Sequence, residues 1–175
     1  KHYSSIQKKK PKSNAAEWET SWQKPLADET IEILKRIQEV YKKTNVNIEK
    51  TKFFLVIGQK GSGKSTLIRE SGHHMRYIFP TARDKQQRRQ IFFNWSVSDK
   101  AVYIEAPADY LAKGDKVAQE LLFLLELLRD EPKKKTLDGV IVAEKVHDLA
   151  DNDNAKARAQ VNRKTVEGVM AQLQL

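Results

Sequence analysis

The chain has 175 residues, a net charge of +9 and no cysteine. That length suffices for one domain with a real core, and the lack of cysteine excludes a disulfide scaffold or a thiolate zinc site. No apolar run approaches the ~18 residues of a membrane span; the longest, Leu121 to Leu128, is broken by Glu126 and reads as a buried helix.

Positive charge gathers at the start, where Lys1, Lys8, Lys9, Lys10 and Lys12 all precede the first acid, Glu17. Residues 1–25 therefore read as a basic juxtamembrane-like segment, either a solvated end or the cytoplasmic flank of a membrane helix. They lack the interleaved aromatics or recognition helix of a nucleic-acid binder, so no nucleic-acid partner is expected. Trp18 and Trp22 stand four apart, share a helical face and are expected to anchor this segment on the domain. The chain opens on Lys1 and not on Met, and reads as a fragment of a longer protein. Residues 26–50 form a helix and connector: Asp28 is the expected N-cap of a helix through about Lys43, with Ile31, Leu34, Ile37, Val40 and Tyr41 as its apolar stripe.

The most informative stretch follows. Phe53 to Ile57 is short, apolar and β-rich, as a strand buried on both faces should be. Gly58-Gln59-Lys60-Gly61-Ser62-Gly63-Lys64-Ser65-Thr66 then matches G-x-x-x-x-G-K-S, the phosphate loop of nucleotide-binding α/β domains. Each residue type has a task. Glycine lets successive N–H groups converge on an anion. Lys64 reaches the β/γ-phosphates and the Ser65 hydroxyl ligates Mg²⁺. A helix opening at Ser65 and stopping near Gly72 turns its positive end towards the phosphates. The expected cofactor is ATP or GTP with Mg²⁺, and residues 51–175 form the domain that holds it.

His73 to Gln90 is polar and basic, where switch I of a small GTPase would lie. Thr81 is a second candidate Mg²⁺ ligand there, and Arg76, Arg83, Arg88 and Arg89 are candidates for a charge-neutralising arginine. Runs at 91–97 and 101–105 flank Ser98-Asp99-Lys100 and predict a hairpin. Asp115 is the expected cap of a helix over 116–129, and 140–143 is a fourth strand. Asn152 to Asn154 reads as a polar break, followed by a helix over 155–175 with Val161, Val166, Val169, Met170 and Leu173 on one side. The fold class is α/β: a GTPase-like P-loop domain, its sheet mostly parallel with one antiparallel hairpin strand, preceded by a helix. With four strands the sheet is expected to be incomplete at its C-terminal side.

Hydrolysis needs an acid at the end of a neighbouring strand, holding Mg²⁺ through water. Glu105 is the candidate, with Asp109 as a substitute. GTPase-like strands end Asp-x-x-Gly; here the sequence is Glu105-Ala106-Pro107-Ala108. Pro107 has no N–H to offer a γ-phosphate and Ala108 is less free than glycine, so that sensor is impaired. Glu144-Lys145-Val146-His147 follows the fourth strand but departs from the base-reading Asn-Lys-x-Asp, with Asp148 one residue late. His147 stands alone, and His73-His74 diverge in either helix or strand, so neither is a metal site.

Several stretches together resemble the IcmF/TssM family, inner-membrane components of type VI and Dot/Icm type IVB secretion systems. They are Phe54 to Gly58 with its loop, Glu70-Ser71-Gly72, Trp95, Ser98 to Val102, Phe123 to Leu128, Pro132 to Lys135, Asp138 to Val142, and Asp148-Leu149. The resemblance spans about residues 52–150. It implies a nucleotide-binding domain at the cytoplasmic face of the bacterial inner membrane, tethered by membrane helices absent from this chain. Its partners would be other subunits of the secretion membrane complex, whose assembly or stability it supports. It also implies a Thr-Lys-x-Asp loop on a later strand. The family's Asp-Thr-Ala-Gly stands here as Glu105 to Ala108, so NTP hydrolysis is expected to be weak or absent. The rival readings are a structural scaffold with a vestigial loop and a soluble P-loop GTPase or kinase.

Overall fold

The computed structural model describes residues 22–72, 74–79, 92–111, 118–130, 137–145 and 152–173. Its first element is a helix, α1 (Gln23–Thr44), that begins five residues before the expected cap. Trp22, not Asp28, is the N-cap residue. Pro25 falls in the first turn, where the N–H it lacks would have had no helical partner, so it does not delay the helix. Leu26, Ile33, Leu34, Ile37 and Tyr41 are buried along one stripe, whereas Ile31 and Val40 are only half-buried. Asn45 closes the helix at φ 57°, a left-handed cap that asparagine tolerates.

A 3₁₀ turn (Ile48–Lys50) leads into β1 (Lys52–Ile57), and α2 (Lys64–Arg69) follows the glycine-bearing loop. Then come β2 (Arg76–Ile78), β3 (Asn94–Val97), β4 (Ala101–Glu105), a 3₁₀ turn (Ala108–Tyr110), α3 (Gln119–Asp130), β5 (Gly139–Val142) and α4 (Asn152–Leu173). The strands form one sheet in the order β2-β3-β4-β1-β5. β1 pairs in parallel with β4 and β5, while β2–β3 and β3–β4 are antiparallel. The sheet is thus mixed, with as many antiparallel as parallel pairings, rather than mostly parallel with one hairpin. The extra antiparallel pairing comes from β2, three residues inside a stretch that sequence composition reads as a polar loop. Its Arg76 and Tyr77 are exposed and only Ile78 is buried, so this edge strand shows no apolar alternation.

The β3–β4 hairpin forms where expected. Ser98 makes it, its hydroxyl accepting from the N–H groups of Lys100 (3.2 Å) and Ala101 (3.0 Å). Asp138 opens β5 by accepting from the Phe53 N–H at 2.8 Å and from Lys52 Nζ at 2.7 Å, which sets the start of the β1–β5 pairing.

Side-chain alternation sorts the sheet into two faces. Phe53, Leu55 and Ile57 of β1 join Val102 and Ile104 of β4 and Trp95 and Val97 of β3 in one apolar core with α1 and α3. From Glu120 to Arg129 no residue of α3 is exposed, as its leucine-rich sequence requires. Trp22 meets Phe123 edge-on at 5.6 Å, tying the start of α1 to α3. The opposite face carries Phe54 stacked on Tyr103 (5.7 Å), together with Val56 and Glu105.

α4 starts at Asn152, inside the expected polar break, because Asn and Asp are at home at a helix start. It packs on α3. Asn162, Thr165 and Val169 are its most buried residues, while Met170 is exposed. Val161 and Val166 pack against the same core as Val169, so the expected side is the buried one, with Met170 as the departure and Asn162 and Thr165 as polar members that the valine spacing does not show. The expected cap Asp115 and the residues 146–150 lie outside the described residues. Among the described residues no helix is long and apolar enough to cross a membrane.

One half-buried acid tunes the packing of α1. The Glu29 carboxylate accepts from the Phe92 N–H at 3.2 Å, pinning α1 to the approach of β3. Burial pushes its pKa up to about 7, partly offset by the N–H groups of Phe92 and Phe93. The raised folded value means that the folded state holds this proton more tightly than the unfolded chain. Its stabilising share is complete below the unfolded value and is lost as pH rises towards and through 7. Thermal unfolding followed by circular dichroism at pH 5 and pH 8 should show Glu29→Gln flattening this fall, with the variant gaining most at pH 8.

Candidate functional site

Parallel pairing on both sides of β1 brings three chain exits together. Val56 stands opposite Glu105 and Ile57 opposite Val142. The pairing runs one residue further on each side, Ala106 N–H to Val56 O at 3.0 Å and Ala143 N–H to Ile57 O at 2.8 Å. The loop after β1 therefore emerges between the end of β4 and the end of β5, at the carboxyl edge where open α/β sheets carry their ligands.

The loop depends on its glycines. Gly58 takes φ +153°, and a Cβ there would meet the Ala143 carbonyl oxygen and the Ser62 hydroxyl. Ser62 N–H bonds to Gln59 O at 3.0 Å, closing a turn whose third residue, Gly61, sits at φ +74°. Gly63, at φ +84°, is the N-cap of α2 and its carbonyl accepts from Leu67 N–H at 2.7 Å. The helix itself is short, ending at Arg69 rather than near Gly72.

Lys64 points back into the loop. Its ammonium donates to Gly58 O at 2.7 Å and Gln59 O at 3.2 Å, and the residue is 7 % exposed. Burial holds its pKa below the usual lysine range, and the negative charge of Glu105 works against that shift. The two carbonyls thus position the ammonium, while the charge of Glu105, which is not bonded to it, favours the protonated form.

Glu105 ends β4 on the face opposite the core, sharing it with Tyr103 by strand alternation. The Ser65 hydroxyl lies 2.9 Å from both of its carboxylate oxygens. Two residues forty apart in sequence thus meet as a hydroxyl and a carboxylate, both hard oxygen donors. Such a pair fits Mg²⁺, which takes one or two protein oxygens and completes its shell with water and phosphate. Among the described residues there is no group of three or more His, Cys, Asp or Glu side chains able to hold a metal by itself.

The other candidates that the structure describes, Asp109 and Arg76, do not join this pair. Asp109 is exposed in the 3₁₀ turn and makes no hydrogen bond or ion pair among the described residues. Arg76 is exposed on β2, and Thr81, Arg83, Arg88 and Arg89 lie outside the described residues. The segment after β4 is fixed in place: Ala106 is fully buried and Tyr110 and Leu111 enter the core around Pro107. Of the loop residues, Lys60 and Thr66 are exposed, while Gln59 is half-buried with its carbonyl on Lys64. The Ser62 hydroxyl is buried without a hydrogen-bond partner.

Sequence reasoning weighed Lys145 only within a base-reading pattern it does not match, and gave it no place beside the loop. Its Cε and Nζ lie 3.2 Å from where a Gly61 Cβ would be. The available signal was its place three residues past a parallel strand, at the carboxyl end of the sheet where ligands bind. No protein-family model, curated protein or solved structure matches the chain.

Gly58→Ala forces a side chain against backbone at a φ that L-residues avoid. It should lower unfolding free energy by about 1–3 kcal/mol in urea titrations, more than the same change at Gly72, which has open space around it.

Proposed function

We propose that this chain is the nucleotide-binding cytoplasmic domain of an IcmF/TssM-like inner-membrane secretion component, built on a GTPase-like P-loop and taking ATP or GTP with Mg²⁺. The observation that carries the nucleotide reading is the pairing of two contacts in one crevice. Lys64 closes on the Gly58 and Gln59 carbonyls, and Ser65 meets Glu105 across the sheet. A chance glycine-rich turn gives no reason for a buried lysine and a strand-end acid to converge on it. The placement in a secretion complex rests on the sequence resemblance, and the β3–β4 hairpin beside β1 agrees with a GTPase-like order of elements.

In this reading the loop holds the β- and γ-phosphates, and Lys64 exchanges its carbonyl partners for phosphate oxygens, a stronger charge-assisted bond. Ser65 and Glu105 would hold the metal, Glu105 directly or through water; Mg²⁺ itself supplies neutralisation of phosphate charge. Turnover is slow or absent. The stretch where a γ-phosphate sensor would sit carries Pro107, which has no N–H, and is anchored on both sides by Ala106, Tyr110 and Leu111. That anchoring also favours a second reading, a scaffold whose loop no longer binds nucleotide and whose surfaces engage other subunits.

Calorimetric titration with ATP and with GTP, each with Mg²⁺, separates the two. The first reading expects measurable binding that Lys64→Ala weakens by about 100-fold, the upper range for one charged hydrogen-bonding group. Heat-silent titrations with both proteins leave the scaffold.

A further inference from the structure

We propose that Lys145 is a second phosphate-binding cation of this site, closing on the anion from the β5 side of the loop. This rests on the nucleotide-binding reading above and names a residue that the loop pattern does not contain.

The placement follows from the sheet. Because β5 runs parallel to β1 and Ala143 N–H still bonds to Ile57 O at 2.8 Å, residues 143–145 leave the sheet alongside the loop. The Ala143 carbonyl abuts Gly58, and two residues on, the tip of Lys145 crosses Gly61. It is the charged end, Cε and Nζ at 3.2 Å from the missing Cβ, that lies there. Gly61 therefore does two things: it takes a positive φ, and it leaves the room that the lysine tip fills.

Lys64 and Lys145 thus bracket one turn. Lys64 is inside, on the carbonyls of Gly58 and Gln59; Lys145 is outside, over Gly61. Lys64 is buried, whereas Lys145 is exposed and makes no hydrogen bond or ion pair among the described residues. Two like charges thus flank one turn, and the outer one has no carboxylate partner among the described residues. A ligand with several negative charges, a nucleoside di- or triphosphate, answers both, and a monophosphate answers one. A lysine serving as a shelf for a base would lay its aliphatic stem along the ligand. Here the ammonium end is at the backbone of the phosphate loop.

The test titrates the chain with Mg·ATP and, separately, with inorganic tripolyphosphate, which has no base. Wild type, Lys145→Gln, Lys145→Arg and Lys64→Ala are compared. Lys145→Gln should weaken both ligands by about tenfold, the low range for a charged hydrogen bond at an exposed site, with Lys145→Arg retaining most of the affinity. Ligand-free melting temperatures of the two Lys145 variants should equal wild type, because the side chain is exposed. Three results overturn the proposal. In one, Lys145→Gln binds like wild type while Lys64→Ala fails, which removes Lys145 alone. In another, the loss is confined to ATP and tripolyphosphate binds as before, which makes Lys145 a base contact. In the third, wild type binds neither ligand, which removes the nucleotide reading together with this one.

Discussion

The flanking of β1 by parallel strands on both sides is the constraint from which the site follows. A strand with one parallel and one antiparallel neighbour would send the adjoining chain exits to opposite ends of the sheet. Here the ends of β1, β4 and β5 coincide, so the glycine loop, Glu105 and the Ala143–Lys145 segment share one crevice. The contact of Ala143 with Gly58 is the tightest consequence, because it leaves no space for any residue but glycine at the start of the loop.

Among the described residues the charges of that crevice are arranged without a direct ion pair. Lys64 is buried on two carbonyls, and Glu105 engages a hydroxyl. A buried pair bonded to each other would be closed to ligands, since separating it leaves two desolvated charges. Carbonyls and hydroxyls hold the same groups more loosely, and phosphate oxygens or a metal replace them at lower cost. The contacts of the loop in this state are therefore ones that exchange more readily than a buried ion pair.

Much of the fold was legible because local physics and tertiary context agree. The apolar run at 53–57 is a central strand, and a central strand is what its composition demands. The Ser98-Asp99-Lys100 turn forms because the serine hydroxyl satisfies two N–H groups locally. The leucine-rich α3 is buried almost all round, as its sequence requires. The misses have equally local causes. β2 is an edge strand whose pairing rests on backbone bonds to β3, and its exposed Arg76 and Tyr77 carry no alternation to read. α1 starts ahead of the Asp28 cap because the first helical turn accepts Pro25, so the nearest capping residue does not mark the start. On α4 the buried stripe includes Asn162 and Thr165, which an apolar search passes over.

Sequence by itself determined the loop residues, their glycines and the two groups Lys64 and Ser65, because a glycine-bearing loop of the G-x-x-x-x-G-K-S pattern is local and its parts lie within nine residues. It also pointed to Glu105 as the acid, since a strand end is recognisable. Only the tertiary structure decided that Glu105 faces Ser65, that Asp109 does not, and that Lys145 reaches Gly61. Those relations depend on strand order and register, and parallel pairing between segments fifty to ninety residues apart is a property of the closed sheet, not of any stretch of chain.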